Sequence, residues 1–340
     1  MSLSVNLSFV SARVTGLATY GLNLVEQLQD LNPHLLKPGR GYTHEFGLQG
    51  HLRRLWWVQW HLPCLLGSSL LFSPIPEAPL WRGCRYVVTV HDLIPLRLPQ
   101  YFAASQVLYC RHYVRWVLHQ AQHILCNSQA TAADVRDFLG IRGIPMTVTP
   151  LGFDQRLFQP LDLPMGNYFL YVGRSNPHKN LGRVIQAMAG LPEDYQLWVA
   201  GARDDRYTPF LCHLIVDLGL EGRIKFLDYV SMTDLPVLLN QAIALVFPSL
   251  WEGFGLPVLE AMACGTPVIT SCVAALAELG KNAAILVNPY SVEELQSAMA
   301  ELINSPGLRS RLCRLGLERA KQYSWENTAQ ITRSVLLKYL

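Results

Sequence analysis

Short apolar, β-branched runs alternate along this chain with longer stretches of helical periodicity. VNLSFV (Val5–Val10) reads as a first strand, and Thr15-Gly16-Leu17-Ala18 opens a helix to about Leu28. RYVVTVHDL (Arg85–Leu93) reads as a buried strand ending in a polar loop. HILCNS (His123–Ser128) is a further strand and Thr131–Leu139 a helix, and MTVTPLGFD closes the first half. Gln159-Pro160-Leu161-Asp162-Leu163-Pro164-Met165-Gly166 has the Pro and Gly content of a linker. The same alternation then restarts, with YFLYVG (Tyr168–Gly173) as a strand and Leu181–Ala189 as a helix. QLWVAG, RIKFLDYV, AIALVFP and PVITS are further strands. This predicts α/β layers on parallel sheets in two successive Rossmann-like domains, residues 1–158 and 167–322, joined by 159–166. A hinge between two such domains implies a central cleft, with ligands beyond the carboxyl ends of the strands.

The length of 340 residues agrees with two domains, and an apolar content of 50% excludes disorder. Charged residues make up only 16%, which hints at surface that is covered or near lipid. Up to Met165 there are thirteen Lys and Arg against nine Asp and Glu; beyond it, fifteen against sixteen. Neither half carries the concentrated basic patch of a nucleic-acid binder. The first half holds eight of the ten histidines but one lysine, Lys37, which suits a binding face. Eight cysteines without a C-x-x-C pair read as reduced, mostly buried thiols of a cytoplasmic protein. The start, MSLSVNLSFVSARVTG, lacks the basic and long apolar regions of a signal peptide.

Leu55 to Pro76 carries no formal charge, but Gln59, His61, Pro63 and Gly67 make it a poor spanning helix. The overlapping HLRRLWWVQW sets Arg53 and Arg54 beside Trp56, Trp57 and Trp60. It reads either as a helix whose tryptophans are core or as one lying on an anionic membrane surface.

The most informative stretch runs from Phe247 to Ile269, FPSLWEGFGLPVLEAMACGTPVI. A buried strand ends at Pro248, a loop with Gly253 and Gly255 follows, and Pro257 suits the first helical position. Gly265 stops the helix. Its N-terminus, with Gly253, Phe254, Gly255 and Leu256, offers backbone N–H groups to a phosphate. The glycines let a ligand approach the backbone. Glu260, one turn in, suits a ribose diol, and Glu252 lies before the turn. After the strand at Gly173, Arg174 and Lys179 in GRSNPHKN are cations aimed where a diphosphate leaving group gains charge. His91, after VVTV, suits a sugar hydroxyl or proton handling, or is a structural histidine capped by Asp92. Gly16 and Leu17 stand where a first strand gives way to a helix, and their N–H groups suit a β-phosphate or acceptor. Asn127-Ser128 reads as a helix cap.

The Phe247–Ile269 segment resembles the signature of the retaining glycosyltransferases of family 4, the group 1 glycosyltransferases of GT-B fold. Gly173–Asn180 resembles that family's phosphate-clamping motif. Phe226-Leu227-Asp228-Tyr229-Val230 resembles its loop beside the nucleotide base, and Thr15–Tyr20 its first glycine loop. The chain is similar to bacterial mannosyltransferase-type members used in surface polysaccharide assembly. The resemblance implies a nucleotide diphosphate sugar, GDP- or UDP-linked, on the C-terminal domain, with backbone near Val230 at the base. It implies a glycan or lipid-linked acceptor on the N-terminal domain, His91 near the donor sugar, and a terminal helix, 323–340, crossing back to the first domain. It also implies retained configuration through a same-face displacement, with domain closure excluding water. No D-x-D triplet occurs, so no metal is expected. Relatives commonly carry serine and proline where this chain has Ala275 and Ala277. That departure motivates the alternative of a non-catalytic nucleotide-sugar-binding subunit of a polysaccharide-synthesis complex. A Rossmann dehydrogenase is excluded by the lack of G-x-G-x-x-G after a strand. The expected location is cytoplasmic, with peripheral contact to the membrane through the N-terminal domain.

Overall fold

The computed structural model describes residues 2–11, 16–39, 41–43, 47–81 and 83–340. They form two compact units: residues up to Gly152 together with Trp325–Leu340, and Phe153–Ser324.

The first unit is built on six parallel strands: β1 (Leu3–Asn6), β2 (His34–Leu36), β3 (Leu70–Ser73), β4 (Tyr86–Val90), β5 (His123–Cys126) and β6 (Met146–Val148). Their spatial order is β2-β1-β3-β4-β5-β6, so the direction of winding reverses between β1 and β3. Strands β1, β3, β4 and β5 are buried along their whole length, as parallel strands covered on both faces must be. The first strand is shorter than its apolar run. Asn6 ends it, because its Oδ1 accepts the N–H of Ser8 and turns the chain, while its Nδ2 reaches Ser73 Oγ at the end of β3. The terminal helix Trp325–Leu336 belongs to this unit. Thr328 Oγ1 donates to the Pro150 carbonyl at 2.6 Å, and Arg333 pairs with Asp30.

The second unit has strands β7 (Tyr168–Val172), β8 (Gln196–Ala200), β9 (Ile224–Asp228), β10 (Ala244–Phe247), β11 (Val268–Ser271) and β12 (Ile285–Val287). All pair in parallel, in the order β9-β8-β7-β10-β11-β12. In order of sequence that is 3-2-1-4-5-6, the doubly wound arrangement, with its switch point between β7 and β10. Its core packs Phe169, Tyr171, Val199 and Val246 against Leu181, Val184, Ile185 and Met188 of the helix Leu181–Met188.

The boundary between units lies six residues before the end of the first domain read from sequence, residue 158. The Pro-rich stretch 159–166 is fastened to the second unit. Leu161 N–H donates to Asn240 Oδ1 at 2.7 Å and Gly166 N–H to the Gln241 carbonyl at 2.8 Å. All eight cysteines are free thiols. The expectation that most are buried is corrected, since Cys64, Cys212 and Cys272 are exposed and only Cys110, Cys126 and Cys264 are buried. Among the described residues no helix is long and apolar enough to cross a membrane.

Candidate active site

In the second unit the loops after β7 and β10 meet at the switch point. Gly173 leaves β7 with φ +142°, and its N–H bonds the Ala200 carbonyl. The chain then makes a single helical turn, Pro177–Lys179, ending on Asn180 at φ +65°. Asn180 is buried, and its Nδ2 donates to the carbonyls of Pro248 (2.9 Å) and Pro289 (2.6 Å). One side-chain amide thus ties together the loops that follow β7, β10 and β12. The Leu250 N–H donating to the His178 carbonyl adds a second tie. The His178 ring is buried, and burial holds its pKa down at about 4, so it is neutral.

These ties bring the second cation and the first glutamate together. Lys179 Nζ donates to Glu252 Oε1 at 2.6 Å and stands 5.1 Å from the centre of the Phe247 ring. Both side chains of the pair are largely buried. Arg174 differs. Its side chain is mostly exposed and sits 3.8 Å from Asp204, a carboxylate already held by Arg206. The cation loop and the loop after β8 are in tight contact. A Cβ at Gly201 would fall 2.2 Å from the Gly173 carbonyl oxygen, so only glycine fits there.

The helix after β10 spans Leu256–Ala263. Its N-cap is Gly255, at φ +118°, and no side chain caps it. Three requirements converge on that glycine: the positive φ, a Leu276 methyl that a Cβ would meet at 2.7 Å, and an open helix N-terminus. Leu256 and Pro257 begin the helix. Phe254 is turned inward, its ring packed edge-on against Tyr323, so only its backbone is placed for a ligand. Glu260 follows one turn later, half-buried, with no side-chain partner. Burial raises its pKa to about 7. A carboxylate lacking hydrogen-bond partners is a poor structural element and a ready acceptor for a diol. The buried hydroxyls Ser175 and Ser249, in the same two loops, also lack partners.

Val230 lies beyond β9, after Asp228 at φ +54°. The Asp228 carbonyl accepts the Gly201 N–H, and its carboxylate pairs with Arg203. The base loop read from sequence is thus bonded to the loop after β8. Ala275 lies in a formed helix, Ala274–Gly280, and is buried, while Ala274 takes φ +51°. The segment that carries Ala275 and Ala277 is an ordered helical turn, with the Ala277 N–H bonded to the Val273 carbonyl.

Three of the predicted positions, Gly16, Leu17 and His91, lie in the first unit. Gly16 opens the helix Gly16–Gln27, and Thr15 falls outside the described residues. Leu17 and His91 line one cavity of about 430 Å³ at the carboxyl ends of β1, β3 and β4. His91 donates from Nε2 to the Pro74 carbonyl at 2.8 Å, and burial holds its pKa at about 4. Its ring is therefore neutral, with Nδ1 left as an acceptor. Asp92 Oδ1 caps the next turn by accepting the Ile94 N–H. On the far wall Arg54 grips Glu77 through two hydrogen bonds, of 2.7 and 2.8 Å, and Tyr109 adds a third at 2.9 Å. Sequence reading passed over Glu77 and Tyr109. The available signal was one acid in an otherwise acid-free stretch from residue 47 to residue 91. Ser128 caps the helix Gln129–Leu139, accepting the Thr131 N–H.

A doubly wound sheet whose switch point carries an uncapped helix N-terminus, a lysine and an unpartnered carboxylate one turn on has the geometry to receive a phosphate-bearing ligand. The profile described as "Glycosyl transferases group 1" matches residues 154–318, and "Glycosyltransferase Family 4" matches residues 14–157. The chain belongs to the group 1, family 4 glycosyltransferases, and its fold is GT-B. It is 31% identical to the O-antigen chain mannosyltransferase B of Escherichia coli over 72% of this chain and 68% of that one. It is 34% identical to the O-antigen chain mannosyltransferase RfbU of Salmonella typhimurium over 68% of this chain and 64% of that one. The chain thus spans about two thirds of the length of these relatives. Among solved structures, the sucrose-phosphate synthase of Thermosynechococcus elongatus superposes with a TM-score of 0.83 at 21% identity, covering 99% of this chain and 98% of that one. Anabaena HepE in complex with UDP and glucose superposes at 0.79 with 20% identity, covering 99% and 100%.

Proposed function

We propose that the protein moves a hexose, best assigned as mannose, from a GDP- or UDP-linked sugar to a hydroxyl of a glycan or lipid-linked acceptor. It does so in surface polysaccharide biosynthesis, with retention of configuration. The observation that carries the donor site is the convergence of Lys179, the open N-terminus at Gly255 and Leu256, and Glu260 at the β7–β10 switch point. The pyrophosphate lies on that N-terminus, the ribose diol donates to Glu260, and the base sits near Val230.

As the glycosidic bond breaks, negative charge grows on the diphosphate. Lys179 is held in advance by Glu252, so little reorganisation is required to meet that charge. Arg174, longer and exposed, swings from Asp204 onto the outer phosphate oxygens. The cations carry this role with no metal ion. The leaving phosphate accepts the acceptor's proton, since His91, its pKa held at about 4 by burial, is too weak a base to compete for it. The mannose assignment rests on the two O-antigen mannosyltransferases to which the chain is similar. The cavity of the first unit takes the acceptor, its apolar walls of Phe9, Ile75 and Val114 facing the Arg54–Glu77–Tyr109 cluster. The test is a thermal-shift panel of nucleotide sugars followed by a transfer assay with the one that binds. Stabilisation by GDP-mannose and an α-linked product are expected. Stabilisation by no member of the panel would overturn the reading.

A further inference from the structure

Two histidines line the cavity of the first unit, and their partners fix where each ring carries its proton. His51 and Arg54 stand three residues apart on the helix Gly47–Trp60, so their side chains share a face. Arg54 Nη2 lies 2.9 Å from His51 Nδ1. A guanidinium has donors only, so Nδ1 accepts and the proton of the neutral ring sits on Nε2. Burial pushes the His51 pKa below its usual value, which keeps the ring neutral. His91 uses the other nitrogen. Its Nε2 donates to the Pro74 carbonyl, and Nδ1 is left as an acceptor. One ring thus has a donor to offer and the other an acceptor.

The support behind His51 reaches back to the sheet. Arg54 donates to both Glu77 oxygens, and the same carboxylate accepts Tyr109 Oη. The Glu77 carbonyl accepts Ser73 Oγ at 2.7 Å and Asn6 Nδ2 at 3.4 Å, from the ends of β3 and β1. The Tyr109 ring meets the His51 ring edge-on, with centroids 5.0 Å apart. Glu77 is only 2% exposed, and a carboxylate so buried needs the charge that Arg54 brings. The result for the cavity is an imidazole with one orientation and one tautomer.

Charge narrows the ligand. Among the described lining residues Arg54 is the only Lys or Arg, and it is committed to Glu77. A phosphate or carboxylate group would find no uncommitted cation among them. A sugar hydroxyl both donates and accepts, so it meets the two rings as they stand. Phe9, Ile75 and Val114 give an apolar wall to the C–H face of a pyranose.

We infer that His51 positions the acceptor, donating from Nε2 to one hydroxyl of an uncharged sugar while another hydroxyl donates to His91 Nδ1. This rests on the reading that the cavity takes the acceptor, and it adds the chemical class: a neutral pyranose, not a sugar phosphate.

Two measurements on the full chain test it. The first is nitrogen NMR of the imidazoles at neutral pH, with a panel of methyl hexosides and, as anionic counterparts, hexose 6-phosphates. Both rings should carry their proton on Nε2, and a methyl hexoside should move their resonances where the phosphates do not. The second is transfer to the methyl hexoside that binds. His51→Leu should raise the acceptor KM about tenfold, the worth of one hydrogen bond, with a much smaller fall in kcat. His51→Gln should recover most of the loss, because its Oε1 can accept from Arg54 while its Nε2 donates to the sugar. A histidine with a structural role alone would change the melting temperature and leave that KM unmoved. A His51 ring protonated on Nδ1, resonances that no methyl hexoside moves, tighter binding of the phosphates, or a wild-type acceptor KM in His51→Leu overturns the inference. Nucleotide affinity, measured on the same samples, reports the donor site separately. A chain that binds nucleotide and fails these points keeps its donor site and loses this role for His51.

Discussion

Lys179 Nζ and Glu252 Oε1 are 2.6 Å apart, although 73 residues separate them in sequence. The contact exists because β7 and β10 are neighbours at the point where the sheet reverses its winding. A lysine held in this way is a pre-oriented charge. Lys179→Ala should lower kcat by about 10²–10³ at saturating donor, the loss typical of removing one charge-stabilising donor. Single-turnover kinetics check this, and wild-type turnover in the variant removes Lys179 from the mechanism.

Glu260 gives a pH dependence with a definite sign. Its pKa is raised to about 7 by burial, so the folded protein without donor favours the protonated acid. That contribution to stability is complete below the unfolded pKa of about 4.5 and disappears as pH rises through 7. Glu260→Gln should therefore raise the melting temperature at pH 8.5 relative to wild type and leave it nearly unchanged at pH 4. A ribose diol donates to the ionised form, so wild-type affinity for a nucleotide sugar should rise from pH 6 to 8. The Gln variant should bind weakly, without that slope. Calorimetry across the range measures both.

Asn180 is the tie among three loops. Asn180→Ala would leave the buried Pro248 and Pro289 carbonyls without their donor and place alanine at φ +65°. A loss of about 2–4 kcal/mol in denaturant unfolding is expected. Donor affinity should fall with it, because Lys179 and Glu252 are fixed by the same loops.

Gly201→Ala tests the contact beneath the cations. The new methyl would meet the Gly173 carbonyl, and the backbone sits at φ +148°. Loss of at least ~2 kcal/mol is expected, with weaker donor binding as the Arg174 loop is displaced.

Much of this architecture was legible in the chain. Parallel buried strands are nearly continuous apolar runs, so Tyr86–Val90 and Ala244–Phe247 stood out. Leu70–Ser73 did not, because it follows the apolar helix Leu62–Leu66 after only three residues and no change of period marks it. His34–Leu36 and Ile285–Val287 are too short to show one. The glycine loop and both glutamates were readable because Gly, Pro and charge punctuate the sequence there. Asn180's bonds to two distant carbonyls, and the grip of Arg54 and Tyr109 on Glu77, arise from tertiary packing and leave no periodic trace. That Trp57 is core while Trp56 and Trp60 are exposed depended on which side of the helix faces the sheet, and the structure resolves it.

Because the proposed mechanism assigns the departing diphosphate to Lys179 and Arg174, transfer activity should survive EDTA undiminished. Loss of activity that manganese restores would show that a metal shares the work.

The central claim is that the β7–β10 switch point binds a sugar-linked pyrophosphate. The direct test is a crystal structure of the chain soaked with the nucleoside diphosphate of its preferred donor. The account predicts phosphate oxygens within hydrogen-bond distance of the Leu256 N–H and Lys179 Nζ, with both ribose hydroxyls on Glu260. A nucleotide bound elsewhere, with Lys179 still closed on Glu252 and the helix N-terminus bare, would contradict it.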